Sequence, residues 1–254
     1  MEYINYVKQA PVQGVTGLWG GTQGALQQSG VEVDNGGSSD FDGSGANDYI
    51  QQSSTVSGYN IGTDDFTLEC WIKTSTTGSD GFYRRVYLQD ATQPNYTGHL
   101  QLAITPNAGG GKANPWDDGN LDIVGNTTVT DGQWHHIAVC RDSTNTRLYV
   151  DGSDDGDSQT WTANINGQQP RIGSQNGSGG FDGYISNVRV VKGIALYTSN
   201  FTPPTTKLEE VSGSGYSTIL LALQSTTDPT DNAVPSSNWT KSGTVNASSD
   251  NPFD

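Results

Sequence analysis

The sequence predicts an all-β chain folded as two packed antiparallel sheets, and three observations carry that expectation. Short runs of β-branched and aromatic residues alternate with polar ones, most clearly in DGQWHHIAVCRDSTNTRLYVDG, from Asp131 to Gly152. Turn chemistry separates the runs, with 33 glycines and abundant Asp, Asn, Ser and Thr. No helix of ordinary length can be drawn, and a single turn at Lys192 to Tyr197 is the one helical expectation.

The elements follow in order. Residues 1–40 show little strand pattern apart from Tyr3 to Val7, and Gly14, Gly17, Gly20, Gly21 and Gly24 oppose any regular element. They are expected to form an irregular N-terminal arm that attaches or packs. The sandwich, residues 41–254, opens at Phe41-Asp42-Gly43 and continues into a strand at Tyr49-Ile50. From Phe66 to Lys73, Phe66, Leu68, Cys70 and Ile72 share one face, and Glu69 and Lys73 take the other. Phe82, Val86 and Leu88 make a neighbour, and His99 to Thr105 points Leu100, Leu102 and Ile104 one way. Trp134 to Arg141 and Arg147 to Val150 flank a polar turn at Asp142 to Asn145. A strand follows within Phe181 to Pro204, then an apolar run from Thr218 to Gln224 and a weakly alternating stretch from Asn238 to Asn246. About a dozen strands result, enough for two sheets around one apolar layer.

Charge is sparse and one-sided, with 27 acidic against 12 basic residues and a net charge of −15. Without a Lys/Arg cluster, nucleic acid and anionic lipid are poor partners. No apolar run approaches the roughly 20 residues that cross a bilayer, so no membrane span is expected. The N-terminus has neither the basic start nor the apolar core of an export signal. The Asn-x-Ser/Thr sites at Asn95, Asn126, Asn176, Asn200, Asn238 and Asn246 are therefore expected to stay unglycosylated, with assembly in a cytoplasm. Cys70 and Cys140 fall inside strands and are expected as buried, reduced thiols.

The WHHIAV, LYVDG and GYISNVRV strands, in this order, resemble the late strands of the concanavalin A-like, laminin G-type domain. FDGSGANDYI at 41–50 and FTLECWIK at 66–73 are similar to its opening strands. The resemblance covers roughly residues 41–253 and implies a two-sheet antiparallel jelly-roll sandwich. Pentraxins share that fold and bridge two strands of the corresponding type, but Cys70 and Cys140 stand off that alignment. The tail, LYTSNFTPPT followed by LLALQ and SGTVNASSDNPF, resembles a companion of such sandwiches in structural proteins of tailed phages, notably marine ones.

Enzymes of this fold set two carboxylates on one strand as ExDxE or ExDxxE. None of Glu2, Glu32, Glu69, Glu209 and Glu210 stands in such a pattern, so no catalytic residue and no enzymatic activity is expected. His135 and His136 are adjacent on a strand, point to opposite faces and cannot act as one pair. Asp151 to Asp157 starts like a calcium-binding EF-hand loop, but Thr162 stands where a Glu is needed, and it reads as a turn with solvated carboxylates. The stretch PWDDGNLD, read as a loop, offers Asp117, Asp118, Asn120 and Asp122 as oxygen ligands for Ca2+. It also holds the parts of a glycan site: Trp116 as stacking platform, with Asp117, Asp118 and Asn120 to read hydroxyls. The competing reading has Trp116, Trp161 and Tyr59 folding back to cap the sandwich, with Trp71, Trp134 and Tyr149 in packing or a covered outer sheet.

The function these readings imply is a non-enzymatic virion structural protein of a tailed phage, either a head decoration or a tail appendage. Its expected partners are other virion proteins, reached through the arm, and a host-surface glycan, and it is expected to be a homo-oligomer assembled in the host cytoplasm. The alternative is a free-standing carbohydrate-binding, lectin-like protein.

Overall fold

In the computed structural model the alternating strands close into two antiparallel sheets that share one core. The structure describes residues 36–254 except 44–46, 55, 78–81, 90–98, 107–108, 119, 168, 176–178, 231 and 235–238. All of these residues belong to one unit of the chain, 34–254. The expected arm lies outside the described residues up to position 35, and the sandwich is already under way at Ser38.

The first strands are β1 (Ser38–Asp42), β2 (Tyr49–Gln52), β3 (Phe66–Lys73), β4 (Arg84–Leu88), β5 (Gln101–Ile104) and β6 (Ala113–Asp117). Then come β7 (Leu121–Asp122), β8 (Trp134–Asp142), β9 (Asn145–Val150), β10 (Ser153–Asp154), β11 (Gln159–Thr160) and β12 (Arg171–Ile172). The last are β13 (Asp182–Lys192), β14 (Ser212–Gly213), β15 (Tyr216–Ala222), β16 (Asn232–Val234), β17 (Trp239–Ser242) and β18 (Val245–Ser248). Among the described residues one sheet has 11 strands, in the main order β10-β9-β8-β3-β13-β1-β18, with β11 paired to β9 and β14, β15 and β16 joined through β13. The other has 7 strands, in the order β17-β2-β12-β4-β5-β6-β7.

The core is the layer predicted from alternation. Phe66, Leu68, Cys70 and Ile72 of β3, with Ile137 and Val139 of β8, meet Val86, Leu102 and Ile104 from the facing sheet, all buried in one cluster. Cys70 points into that core while Cys140 joins a second cluster with Ala138 and Tyr149 on the outer face, and both are free thiols. Burial pushes the Cys140 thiol up to about 12.

Three local expectations change. Lys192 to Tyr197 is not a helical turn: Lys192 ends β13, and a strap without regular structure follows from residue 193. Thr67 holds the strap, accepting from the Leu196 N–H at 2.8 Å and donating to the Ile194 carbonyl at 3.1 Å. The strap lies so close to Gly152 (φ 76°) that any side chain there would strike the Phe201 carbonyl. Asp155 is not solvated: it is buried and accepts bonds from the Asn126 and Thr127 N–H groups and the Thr127 hydroxyl. PWDDGNLD is a hairpin made by β6 and β7 rather than a loop. Extended backbone on both sides finds ladder partners that a loop would leave unpaired.

Candidate functional site

Strand register builds a row that no single segment contains. Directly opposed residues on neighbouring strands lie about 5 Å apart on one face. Asp40 of β1 opposes Tyr184 of β13, Tyr184 opposes Lys73 of β3, and Lys73 opposes Trp134 of β8. Because Ile72 and Cys70 face the core, this row faces outward. Lys73 Nζ sits 5.6 Å from the Tyr184 ring centre and 6.0 Å from that of Trp134. It donates to Asp250 Oδ2 at 2.7 Å, and Trp134 Nε1 donates to the other oxygen of the same carboxylate at 3.0 Å.

Beside the row is a cavity of about 340 Å³, lined by Asp40, Lys73, Thr74, Thr76, Asp182 and Tyr184 among others. That volume is within the range of small-molecule sites. Its walls are fixed from several directions. Thr74 Oγ1 donates to the Asp182 carbonyl at 2.5 Å, Thr76 Oγ1 to Asp182 Oδ2 at 2.7 Å, and the Gly132 N–H to the Thr74 carbonyl at 3.0 Å. Gly183 has φ 132°, and a side chain there would collide with the Lys73 carbonyl and fill the floor. Burial, together with Asp42, Asp182 and Asp250, raises the Asp40 carboxyl above its usual value. Asp40 in turn raises the Tyr184 phenol.

Two to five residues along the same strands the chemistry changes. Glu69 is fully buried beneath the strap: Oε1 accepts from Arg189 Nε at 2.9 Å and Nη2 at 2.6 Å, and Oε2 pairs with the Tyr197 hydroxyl at 2.9 Å and His136 Nε2 at 3.1 Å. Burial alone would raise this carboxyl, but the hydrogen bond from His136 and the charge of Arg189 hold it below the usual range. Tyr197 and Phe201 stack at 3.6 Å to close the cover. On the opposite face of β8, where it pairs with Ile72, His135 bridges Asp151 Oδ2 at 2.8 Å and Asp131 Oδ1 at 3.0 Å. The bond to Asp151 raises the imidazole above its ordinary value.

Residues 42–196 match the concanavalin A-like lectin/glucanases superfamily. The chain belongs to that superfamily. Among solved structures it is similar to a heptameric SAP-like pentraxin of Limulus polyphemus, at 12% identity and a TM-score of 0.52, over 87% of this chain and 98% of that one. It is also similar to a candidate carbohydrate-binding protein of Bacteroides ovatus, at 16% identity and a TM-score of 0.53, over 86% of this chain and 62% of that one. Both likenesses concern the fold. No curated protein matches the chain in sequence.

Within this superfamily sandwich the residues singled out from sequence do not come together as expected. Trp116 lies half-buried in β6, with the Arg85 guanidinium 5.8 Å from its ring centre. Asp117 turns inward, is fully buried and accepts from Trp161 Nε1 at 2.8 Å, which withdraws it from both the glycan and the metal role. Asp118 and Asn120 are exposed, and Asn120 Nδ2 donates to the Asp118 carbonyl at 3.0 Å. Asp122 accepts from Asn114 Nδ2 at 2.9 Å. With Asp117 on the opposite side of the hairpin, the four do not fit Ca2+. Among the described residues no three His, Cys, Asp or Glu side chains converge to hold a metal ion. Trp161 and Tyr59, by contrast, are buried caps: Trp161 meets Phe66 edge-on at 6.2 Å, and Tyr59 accepts from Trp239 Nε1 at 3.2 Å.

The sequence reading missed the row. It placed Lys73 on the outer face and Trp134 in packing or a covered sheet, and nothing local to either residue links it to Asp40 or Tyr184. The one available signal was an aromatic and a lysine at outward strand positions.

Proposed function

We propose that this chain is a non-enzymatic glycan-binding subunit of a tailed-phage virion, with its sugar site at the Asp40–Tyr184–Lys73–Trp134 row. The observation that carries the glycan reading is the row with its cavity. Two half-exposed rings stand beside carboxylates, hydroxyls and an ammonium, the set that packs against the apolar face of a pyranose and bonds its hydroxyls. The sequence carries no ExDxE or ExDxxE pair of the fold's glycosidases, and Glu69 is sealed under the strap by Arg189, His136 and Tyr197. Weak single sites suit a displayed subunit, because many copies convert modest affinity into avidity.

The virion reading is favoured by the tail segments from LYTSNFTPPT to SGTVNASSDNPF, which are built into the sandwich. β18 pairs with β1 and β17 with β2. The arm is then the attachment element to other virion proteins, and the subunit a homo-oligomer.

A glycan array with wild type, Trp134→Ala and Trp116→Ala tests the sugar site. Signal lost only in Trp134→Ala is expected, and equal signals from wild type and Trp134→Ala exclude the site. Mass spectrometry of purified particles tests the virion reading, which a chain absent from particles overturns.

A further inference from the structure

Resting on the glycan reading above, we propose that the sugar this cavity accepts carries a free, protonated amine. The cavity is acidic beyond its own compensation. Asp40 and Asp182 line it, Asp42 pairs with Asp182 across β1 and β13, and Asp250 stands at its edge. Lys73 is the cation of the lining, and its ammonium is committed to Asp250 at 2.7 Å. The Asp40 carboxylate accepts no hydrogen bond among the described residues and crowds three other carboxylates, which raise it further after burial. A partly buried anion in that position stabilises an arriving positive charge and repels an arriving negative one.

The protein itself shows what fits. Lys73 brings an ammonium to a carboxylate between the Trp134 and Tyr184 rings. Asp40, one strand over and opposite Tyr184, is a carboxylate on the same row with no ammonium bonded to it among the described residues. An amino sugar would supply it, with its ring against the aromatic row and its hydroxyls toward Thr74, Thr76 and Asp182. Uronic and sialic acids would place a carboxylate against Asp40 on a chain whose net charge is already −15.

Titration calorimetry on the full chain separates these cases, using glucosamine oligomers, the matching N-acetylated oligomers and galacturonate oligomers at mildly acidic pH. The free-amine oligomer is expected to bind about fivefold tighter than the N-acetylated one, the upper end of the effect of one screened charge pair. Raised salt is expected to erode the preference, and Asp40→Asn to bring the two oligomers within about twofold. Trp116→Ala is expected to keep the preference. Equal or tighter binding of N-acetylated or galacturonate oligomers overturns the amine while leaving the glycan site standing. If none of the three binds but the array finds another sugar, the amine also falls and the site stands. A blank array removes both. Calcium heat that Asp40→Asn abolishes, with no amine preference, makes the carboxylates a metal site and overturns the proposal as well.

Discussion

One face of one sheet carries two regions of opposite character, and they are two to five residues apart along its strands. At one end Glu69, His136 and Arg189 lie beneath the strap, and both Glu69 oxygens are bonded. At the other end Asp40, Lys73, Trp134 and Tyr184 are half-exposed, and the Asp40 carboxylate accepts no hydrogen bond among the described residues. Both regions hold charges and aromatics, so composition does not separate them. Satisfaction does. A charge fully bonded by its own chain serves the fold, whereas one left wanting beside a cavity is directed at something else.

The sharpest way to break this contrast is Glu69→Ala. Removing the carboxylate strands Arg189 and leaves Tyr197 and His136 without their shared partner, and about 3–5 kcal/mol of stability should be lost in chemical denaturation. Because its folded value is lowered, Glu69 contributes that stability above the ordinary carboxylate range, and it is lost as pH falls through the folded value. A loss below about 1 kcal/mol would mean the strap does not depend on the pair.

At the open end, Trp134→Ala should weaken glycan binding about tenfold in calorimetry with little change in melting temperature. His135, on the other face of β8 between Trp134 and His136 in sequence, gives a pH test. Its folded value is raised, so its contribution is full below the ordinary 6.5 and disappears as pH rises through the folded value. His135→Gln is expected to cost about 1 kcal/mol at roughly pH 6 and almost nothing at roughly pH 9, read as melting temperature. The smallest effect has the opposite sign. Asp40 is raised, so its ionised form opposes folding at neutral pH, and Asp40→Asn should stabilise by about 0.5 kcal/mol there and by nothing in acid. A destabilised Asp40→Asn would show that the carboxylate serves the fold after all.

Much of the sandwich was legible because face and period are local properties. The β3 alternation and the hairpin from β8 to β9 stand where Phe66 to Lys73 and Trp134 to Val150 placed them, with Ser143 in the turn at φ 59°. What was not legible depended on neighbours. The Asp155 carboxylate looked solvated until residues 126 and 127 came to cap it, and Asp117 looked available until Trp161 folded over it. The row was hidden for the same reason. Alternation says that Lys73 and Trp134 point outward, but register alone brings residues 40, 184, 73 and 134 into line.

The placement of β1 also has a mechanical consequence. Ser38 begins the strand that carries Asp40, and it lies opposite Ser248 at the end of β18. Tension between those two ends would peel β1 from β18 one rung at a time, the weak direction of an antiparallel ladder. If, as proposed above, the subunit were held by the segment entering β1 and loaded at the cavity, the force would run along that strand instead. The rungs to β13 and β18 would then resist together in shear.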